Sequence, residues 1–246
     1  EENADVMMSL LDSSIEFVIC RHEQAAAFMA DMHGRLTGRP GVCLATLGPG
    51  ASNLLTGVAS ANMDDSPLVA IIGQASTQRL HKESHQNMDA VAMFRPVTKW
   101  TSTIREPENI NEVVHKAFKL AAAEKPGATV IELPEDIAKK DTDDEPIRAR
   151  TDDTRAGAEP RHVEAALGLI EKATAPVILT GWGVIRTGAA NALAELIGRT
   201  HIYAAQTFMG KGALSARDEH CLYCVGLGSR DIVLEAFEQA DLVLCI

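Results

Sequence analysis

Along the first half of the chain, short apolar runs alternate with longer segments whose apolar positions recur every three or four residues. The runs at 15–20, 42–46, 68–72, 97–104 and 128–133 read as strands. Those at 42–46 and 68–72 are almost wholly apolar, the pattern of a parallel strand covered on both faces. Segments 24–37, 52–62 and 110–124 read as helices. Gly38 and Gly127 follow two of them, where glycine helps to end a helix. Alternating strand and helix imply right-handed crossovers and a doubly wound sheet.

The pattern breaks after Pro134. Between there and Arg161 apolar residues are sparse, and the run Lys139-Lys140-Asp141-Thr142-Asp143-Asp144-Glu145 reads as an exposed connector. Alternation then resumes: a helix at 162–174, a strand at 176–180, the turn Gly181-Trp182-Gly183 and a helix at 189–198. A short strand at 201–205, a loop with Met209-Gly210-Lys211-Gly212, a helix at 231–239 and a strand at 242–246 complete it. The expected fold class is α/β, with two open doubly wound parallel-sheet domains at 1–140 and 161–246 and a linker at 141–160. Both ends look cut: no strand precedes the first amphipathic segment, and the last strand stops without a loop. The first domain is expected to lack its first strand, and the second to be truncated.

A length of 246 residues suits one large domain or two ordinary ones, and 46% hydrophobic with 23% charged residues is normal for a soluble protein. The net charge of −11 argues against a nucleic-acid partner, whose phosphates call for clustered Lys and Arg. The absence of an apolar run of about 18 residues argues against a membrane span. The opening Glu1-Glu2-Asn3-Ala4-Asp5 has neither region of a signal peptide. The five cysteines, at 20, 43, 221, 224 and 245, suit a reducing cytoplasm. Cys221 and Cys224 form a lone CxxC with no second ligand pair, so no metal site is expected.

Candidate chemistry lies at the strand ends. Glu23 sits where the 15–20 run meets the helix, the place where open α/β sheets put ligands. A carboxylate there also simply favours a helix N-terminus, and the residues alone leave both readings open. After the 42–46 run comes Gly48-Pro49-Gly50-Ala51-Ser52-Asn53, whose glycines let backbone approach a flat ligand and whose Ser52 or Asn53 could cap the next helix. An ordinary turn is the alternative. The next strand ends in Gly73-Gln74. In a parallel sheet these three ends share one edge and can converge.

Arg21–Ala30, the Gly48–Leu54 loop, Ala61-Asn62-Met63-Asp64-Asp65-Ser66-Pro67-Leu68-Val69 and Gly73-Gln74 together resemble the pyrimidine-binding domain of thiamine-diphosphate (ThDP) enzymes. The stretch from His85-Gln86-Asn87-Met88-Asp89 to Lys99-Trp100 resembles acetolactate synthases, particularly the catabolic branch. The second half, with Met209-Gly210-Lys211-Gly212, is similar to the Rossmann-like central domain of these enzymes.

The resemblance implies a catalytic role for Glu23: a buried carboxyl group, bonded to the aminopyrimidine ring nitrogen, drives the tautomer that activates the cofactor. It implies cofactor-binding roles for Pro49, Gly50, Asn53, Gly73 and Gln74, and a substrate-side role for Gln86, whose alternative is a solvated helix-start residue. His85 reads as structural or exposed, and Lys99 as solvated or ion-paired. ThDP is the implied cofactor, with Mg²⁺ held by a diphosphate domain outside this chain. FAD stays open, though Lys125-Pro126-Gly127 and Pro134-Glu135-Asp136 stand where FAD-binding relatives have Arg-Pro-Gly and often Pro-Lys-Asp. The implied reaction condenses two pyruvates to 2-acetolactate with loss of CO₂, in a homodimer or tetramer, and this chain alone is expected to be inactive. Oxalyl-CoA decarboxylase, sulfoacetaldehyde acetyltransferase and pyruvate oxidase are rival activities. A non-catalytic scaffold and a nucleotide-binding module are rivals of other classes.

Overall fold

A computed structural model of the protein describes residues 3–147, 157–226 and 232–246. The chain divides into two compact units, Glu1–Asp153 and Thr154–Ile246. The middle of the expected linker, 148–156, and the first residue of the expected helix at 231 lie outside the described residues.

The first unit contains α1 (Ala4–Leu10), α2 (Glu23–Thr37), β1 (Gly41–Ala45), α3 (Pro49–Met63), β2 (Leu68–Gln74), α4 (Ala90–Phe94), β3 (Trp100–Thr103), α5 (Ile110–Ala122), β4 (Ala128–Pro134) and α6 (Glu135–Ala138). Its four strands are parallel, in the order β1-β2-β4-β3. Alternate residues of β2 and β4 face opposite sides. Leu68, Ala70, Ile72, Ala128 and Val130 pack with Ala27 of α2, Leu54 and Val58 of α3 and Phe94 of α4. Val69 and Ile131 pack instead with Ala117 and Ala121 of α5. The central strands β2 and β4 are therefore covered on both faces, as expected for the run at 68–72, whereas the edge strand β1 at 42–46 is covered on one face only, with Val42 exposed on the other.

The expected strand at 15–20 does not form. The segment is irregular and largely exposed, with Ile19 84% exposed. A strand exists only through its ladder, and β1 pairs with β2 alone among the described residues, so this run has no partner. The expected strand at 97–104 shortens to β3, because a 3-10 turn at Arg95–Val97 precedes it. α3 starts three residues before its expected first residue. Pro49 is pre-set for a first helical position and Gly48 precedes it, so neither Ser52 nor Asn53 is the cap.

The second unit contains α7 (Pro160–Ile170), β5 (Pro176–Thr180), α8 (Trp182–Arg186), α9 (Ala190–Thr200), β6 (Tyr203–Gln206), β7 (Cys221–Cys224), α10 (Ile232–Gln239) and β8 (Leu242–Cys245). Its parallel sheet has the order β7-β6-β5-β8. β7 is the strand that the sequence hides, since Cys-Leu-Tyr-Cys is too short to show a period. Ile178, Ala204, Leu193 and Ile197 form the core, on the face covered by α8 and α9.

Candidate functional site

α2 opens at Glu23 behind His22, whose Nδ1 accepts the Gln24 backbone N–H at 3.1 Å. Small residues bring α2 and α3 together. A Cβ on Gly57 would lie 2.5 Å from the Ala27 methyl, so glycine permits that approach. The packing places Asn53, on the first turns of α3, against the start of α2. Asn53 Nδ2 donates to Glu23 Oε2 at 3.0 Å across thirty residues of chain.

Gly50 and Gly48 shape the adjoining turn. A Cβ on Gly50 would stand 2.7 Å from Thr46 Cγ2 and 3.6 Å from Glu23 Oε1. Gly48 adopts φ +57°, a left-handed conformation that glycine takes without strain. A Cβ there would meet the Gln86 carbonyl oxygen at 2.6 Å. Gln86, itself at φ +56°, thus lies directly on the turn that carries Pro49 and Gly50. Glu23, Pro49, Gly50, Asn53 and Gln86 are brought to one neighbourhood, although the strand expected to lead into Glu23 is absent. Glu23 is half-buried rather than buried, and Pro49, Asn53 and Gln86 are exposed.

Gly73 and Gln74 end β2 and are buried. Gln74 Nε2 donates to the Met88 carbonyl at 3.0 Å and to Glu132 Oε1 at 2.9 Å, and its Oε1 accepts the Ala75 N–H. Both amide hydrogens are therefore engaged inside the unit, and Gln74 meets the rest of the neighbourhood through the loop before α4. The sequence reading overlooked Glu132 and Thr103, whose hydroxyl donates to Glu132 Oε2 at 2.6 Å. The available signal was a charged residue inside the apolar run of β4.

Lys99 is exposed, as expected, and its ammonium group is also engaged by backbone. Its Nζ donates to the carbonyls of Leu120, Ala123 and Lys125 at 2.6–2.9 Å and so caps the end of α5. Burial pulls its pKa below the ordinary lysine value, against the opposing pull of Glu124 and Asp65. Among the described residues no group of three or more His, Cys, Asp or Glu could hold a metal ion. Nor is any helix there long and apolar enough to cross a membrane.

The neighbourhood fits the flat ring of thiamine diphosphate. It pairs a half-buried carboxylate with a close-packed Gly-Pro-Gly turn, at the C-terminal edge of a parallel sheet. Comparison with known proteins agrees. Residues 1–93 match the thiamine pyrophosphate enzyme N-terminal TPP binding domain, and residues 163–246 match the thiamine pyrophosphate enzyme central domain. The chain is 37% identical over 244 residues to a probable acetolactate synthase large subunit of Methanocaldococcus jannaschii, covering 97% of this chain and 41% of the relative. It is 37% identical to the acetolactate synthase of Bacillus subtilis, covering 98% and 42%, and to a catabolic acetolactate synthase of Raoultella terrigena, covering 98% and 43%. The chain thus spans about two fifths of the length of these relatives. With both domain matches falling on the two parallel-sheet units, and the carboxylate and glycine turn in the first, the chain belongs to the thiamine pyrophosphate enzyme family.

Proposed function

We propose that this chain is the pyrimidine-binding and central portion of a cytoplasmic acetolactate synthase that joins two pyruvates into 2-acetolactate and releases CO₂. The observation that carries the reading is the Glu23–Asn53 hydrogen bond beside the close-packed Gly50 turn. When bound, thiamine diphosphate supplies a carbon nucleophile and an electron sink.

The chain's own residues hold the ring and handle one proton. Glu23 holds a proton between its carboxyl group and the far nitrogen of the pyrimidine. Asn53, donating to Oε2, fixes the rotamer so that Oε1 is the oxygen free to do this. Pro49 and Gly50 set the turn against which the ring lies, and Gly73 with Gln74 forms the wall behind it. Gln86, seated on Gly48, faces the incoming 2-oxoacid. Mg²⁺ and the diphosphate are held by a further domain, supplied in a homodimer or tetramer by another subunit, and the chain acts only with that domain.

Glu23→Gln in the whole enzyme tests the reading. It keeps the shape and the contact with Asn53 but cannot pass the proton. Acetolactate formation from pyruvate, measured by product analysis, is expected to fall by about 10²–10⁴-fold. Unchanged turnover would rule the role out. A different product from pyruvate would replace acetolactate synthase with one of the rival decarboxylases.

A further inference from the structure

Glu132 is 5% exposed, in the middle of β4. A buried carboxylate is costly unless both oxygens find donors. The sheet register supplies them. Glu132 pairs with Ile72 of β2 on one side and Thr103 of β3 on the other, so its side chain shares a face with Thr103 and with Gln74, two residues beyond Ile72. That face is the one covered by α3 and α4. Oε1 accepts from Gln74 and Oε2 from Thr103. The same Gln74 nitrogen that binds Glu132 also holds the Met88 carbonyl. Met88 is two residues from Gln86, whose backbone rests on Gly48.

The rest of that loop is fastened independently. Asp136 accepts from the Thr77 backbone N–H at 2.9 Å and from the Thr77 hydroxyl, and Glu135 pairs with Arg79. Asn87 Nδ2 closes the loop on itself through the carbonyls of Leu80 and Lys82. The first part of the loop is thus tied to α6, at the end of β4. Its last turn, the part nearest Gly48, is tied to the sheet through Gln74.

We propose that Glu132 is a positioning residue for the substrate side of the site: it locks the Gln74 amide, which holds Met88 and thereby keeps Gln86 seated on the Gly48 turn. The inference rests on the reading that Gln86 faces the 2-oxoacid. Without the carboxylate, the amide keeps the Ala75 N–H and the Met88 carbonyl but loses its charged partner, and the anchor of the loop's last turn is weakened. The effect falls on how substrate is held, because Glu23 and Asn53 do not depend on this chain of bonds.

The test combines amide hydrogen exchange with steady-state kinetics on the whole enzyme, comparing Glu132→Ala with Glu132→Gln. The alanine variant should exchange faster at residues 84–90 than the unmodified protein, with β1 and α3 unchanged. Its kcat/KM for pyruvate should fall by up to about 10²-fold, mainly through KM, with thiamine diphosphate affinity by calorimetry falling by much less. Glutamine, which keeps an acceptor for one donor, should restore most of both. Unaltered exchange at 84–90, or a uniform loss of protection across the first unit, overturns the proposal. Should the alanine variant not fold, Thr103→Val, which removes one donor only, is expected to shift exchange in the same direction by less, and no shift there overturns it equally. Faster exchange at 84–90 in an enzyme that makes no acetolactate would sink the proposed reaction while leaving the positioning role standing.

Discussion

The two units share a plan and differ in how completely it is packed. In the first, β2 and β4 are buried along nearly their whole length, with apolar clusters on both faces. In the second, the edge strands β7 and β8 are half-buried or exposed at every position except Cys221, and the described core lies on one face. Each unit nevertheless uses a buried glutamine at a strand's C-terminal end to hold a loop. Gln74 holds Met88 with its nitrogen and depends on Glu132 to orient it. Gln206 uses its carbonyl oxygen directly, accepting from Gly212 and Leu214 N–H groups. The difference teaches where precision is demanded. The loop beside Glu23 is tied to the strands by a charged, doubly bonded anchor. The Met209–Gly212 stretch is tied by neutral groups, the Gln206 carbonyl and the Thr207 hydroxyl, and by a glycine, Gly210, that lets its backbone lie on Thr180.

The sharpest way to break this comparison is to truncate an apolar side chain in each unit. Phe94, fully buried between α4 and the sheet, should cost about 3–5 kcal/mol as Phe94→Ala. Val243, 41% exposed on β8, should cost less than about 1 kcal/mol as Val243→Ala. Urea denaturation followed by circular dichroism reads both, and equal costs would mean that the second unit is as tightly packed as the first. A smaller contrast comes from adding a methyl group. Gly34 of α2 has no room, since a Cβ would lie 2.2 Å from the Pro67 carbonyl oxygen, and Gly34→Ala should destabilise by about 1–3 kcal/mol. Gly198 of α9 has open space, and Gly198→Ala should stabilise by about 0.5–1 kcal/mol.

The smallest contrast is in acid. Burial pushes the Asp136 carboxyl up, but the Thr77 hydroxyl and N–H, with help from Lys140, outweigh it and hold its pKa below the ordinary 3.8. The Thr174 N–H and hydroxyl and the Ala175 N–H do the same for Asp241 in the second unit. For a carboxyl whose folded pKa is lower than its unfolded one, the unfolded chain binds more protons across that window. The stabilisation is therefore full above pH 3.8 and disappears as pH falls through the folded value. Asp136→Asn and Asp241→Asn should each flatten the acid limb of a stability-against-pH curve. The stronger effect is expected at Asp136, which is half-buried where Asp241 is exposed. An unchanged limb would remove the role given to Thr77 or Thr174.

Much of this molecule was legible along the chain. The nearly unbroken apolar runs at 42–46 and 68–72 announced strands, covered on both faces at β2 but not at the edge strand β1, where Val42 is 50% exposed, and α2 and α5 followed from their spacing and their glycines. The candidate residues around Glu23 were legible through their motifs. The run at 15–20 misled because apolar content signals burial or pairing, and pairing needs a neighbour that no local pattern reveals. β7 escaped for the opposite reason, being short and flanked by turns. Asn53 stood in the sequence as a possible helix cap and, through the resemblance, as a cofactor-binding residue; only the crossing of α2 with α3 made it a partner of Glu23.

What the sequence determined by itself was the alternation of elements, hence two parallel-sheet units, and the residue types available at their strand ends. Those follow from periodicity and backbone preference, which are local. What only the tertiary structure decided was the company each polar group keeps: Asn53 with Glu23, Gln86 on Gly48, Lys99 on the end of α5, and Glu132 between Gln74 and Thr103. Such pairings depend on sheet order and register, which bring residues far apart in the chain within hydrogen-bonding distance and leave no trace in the spacing of either partner.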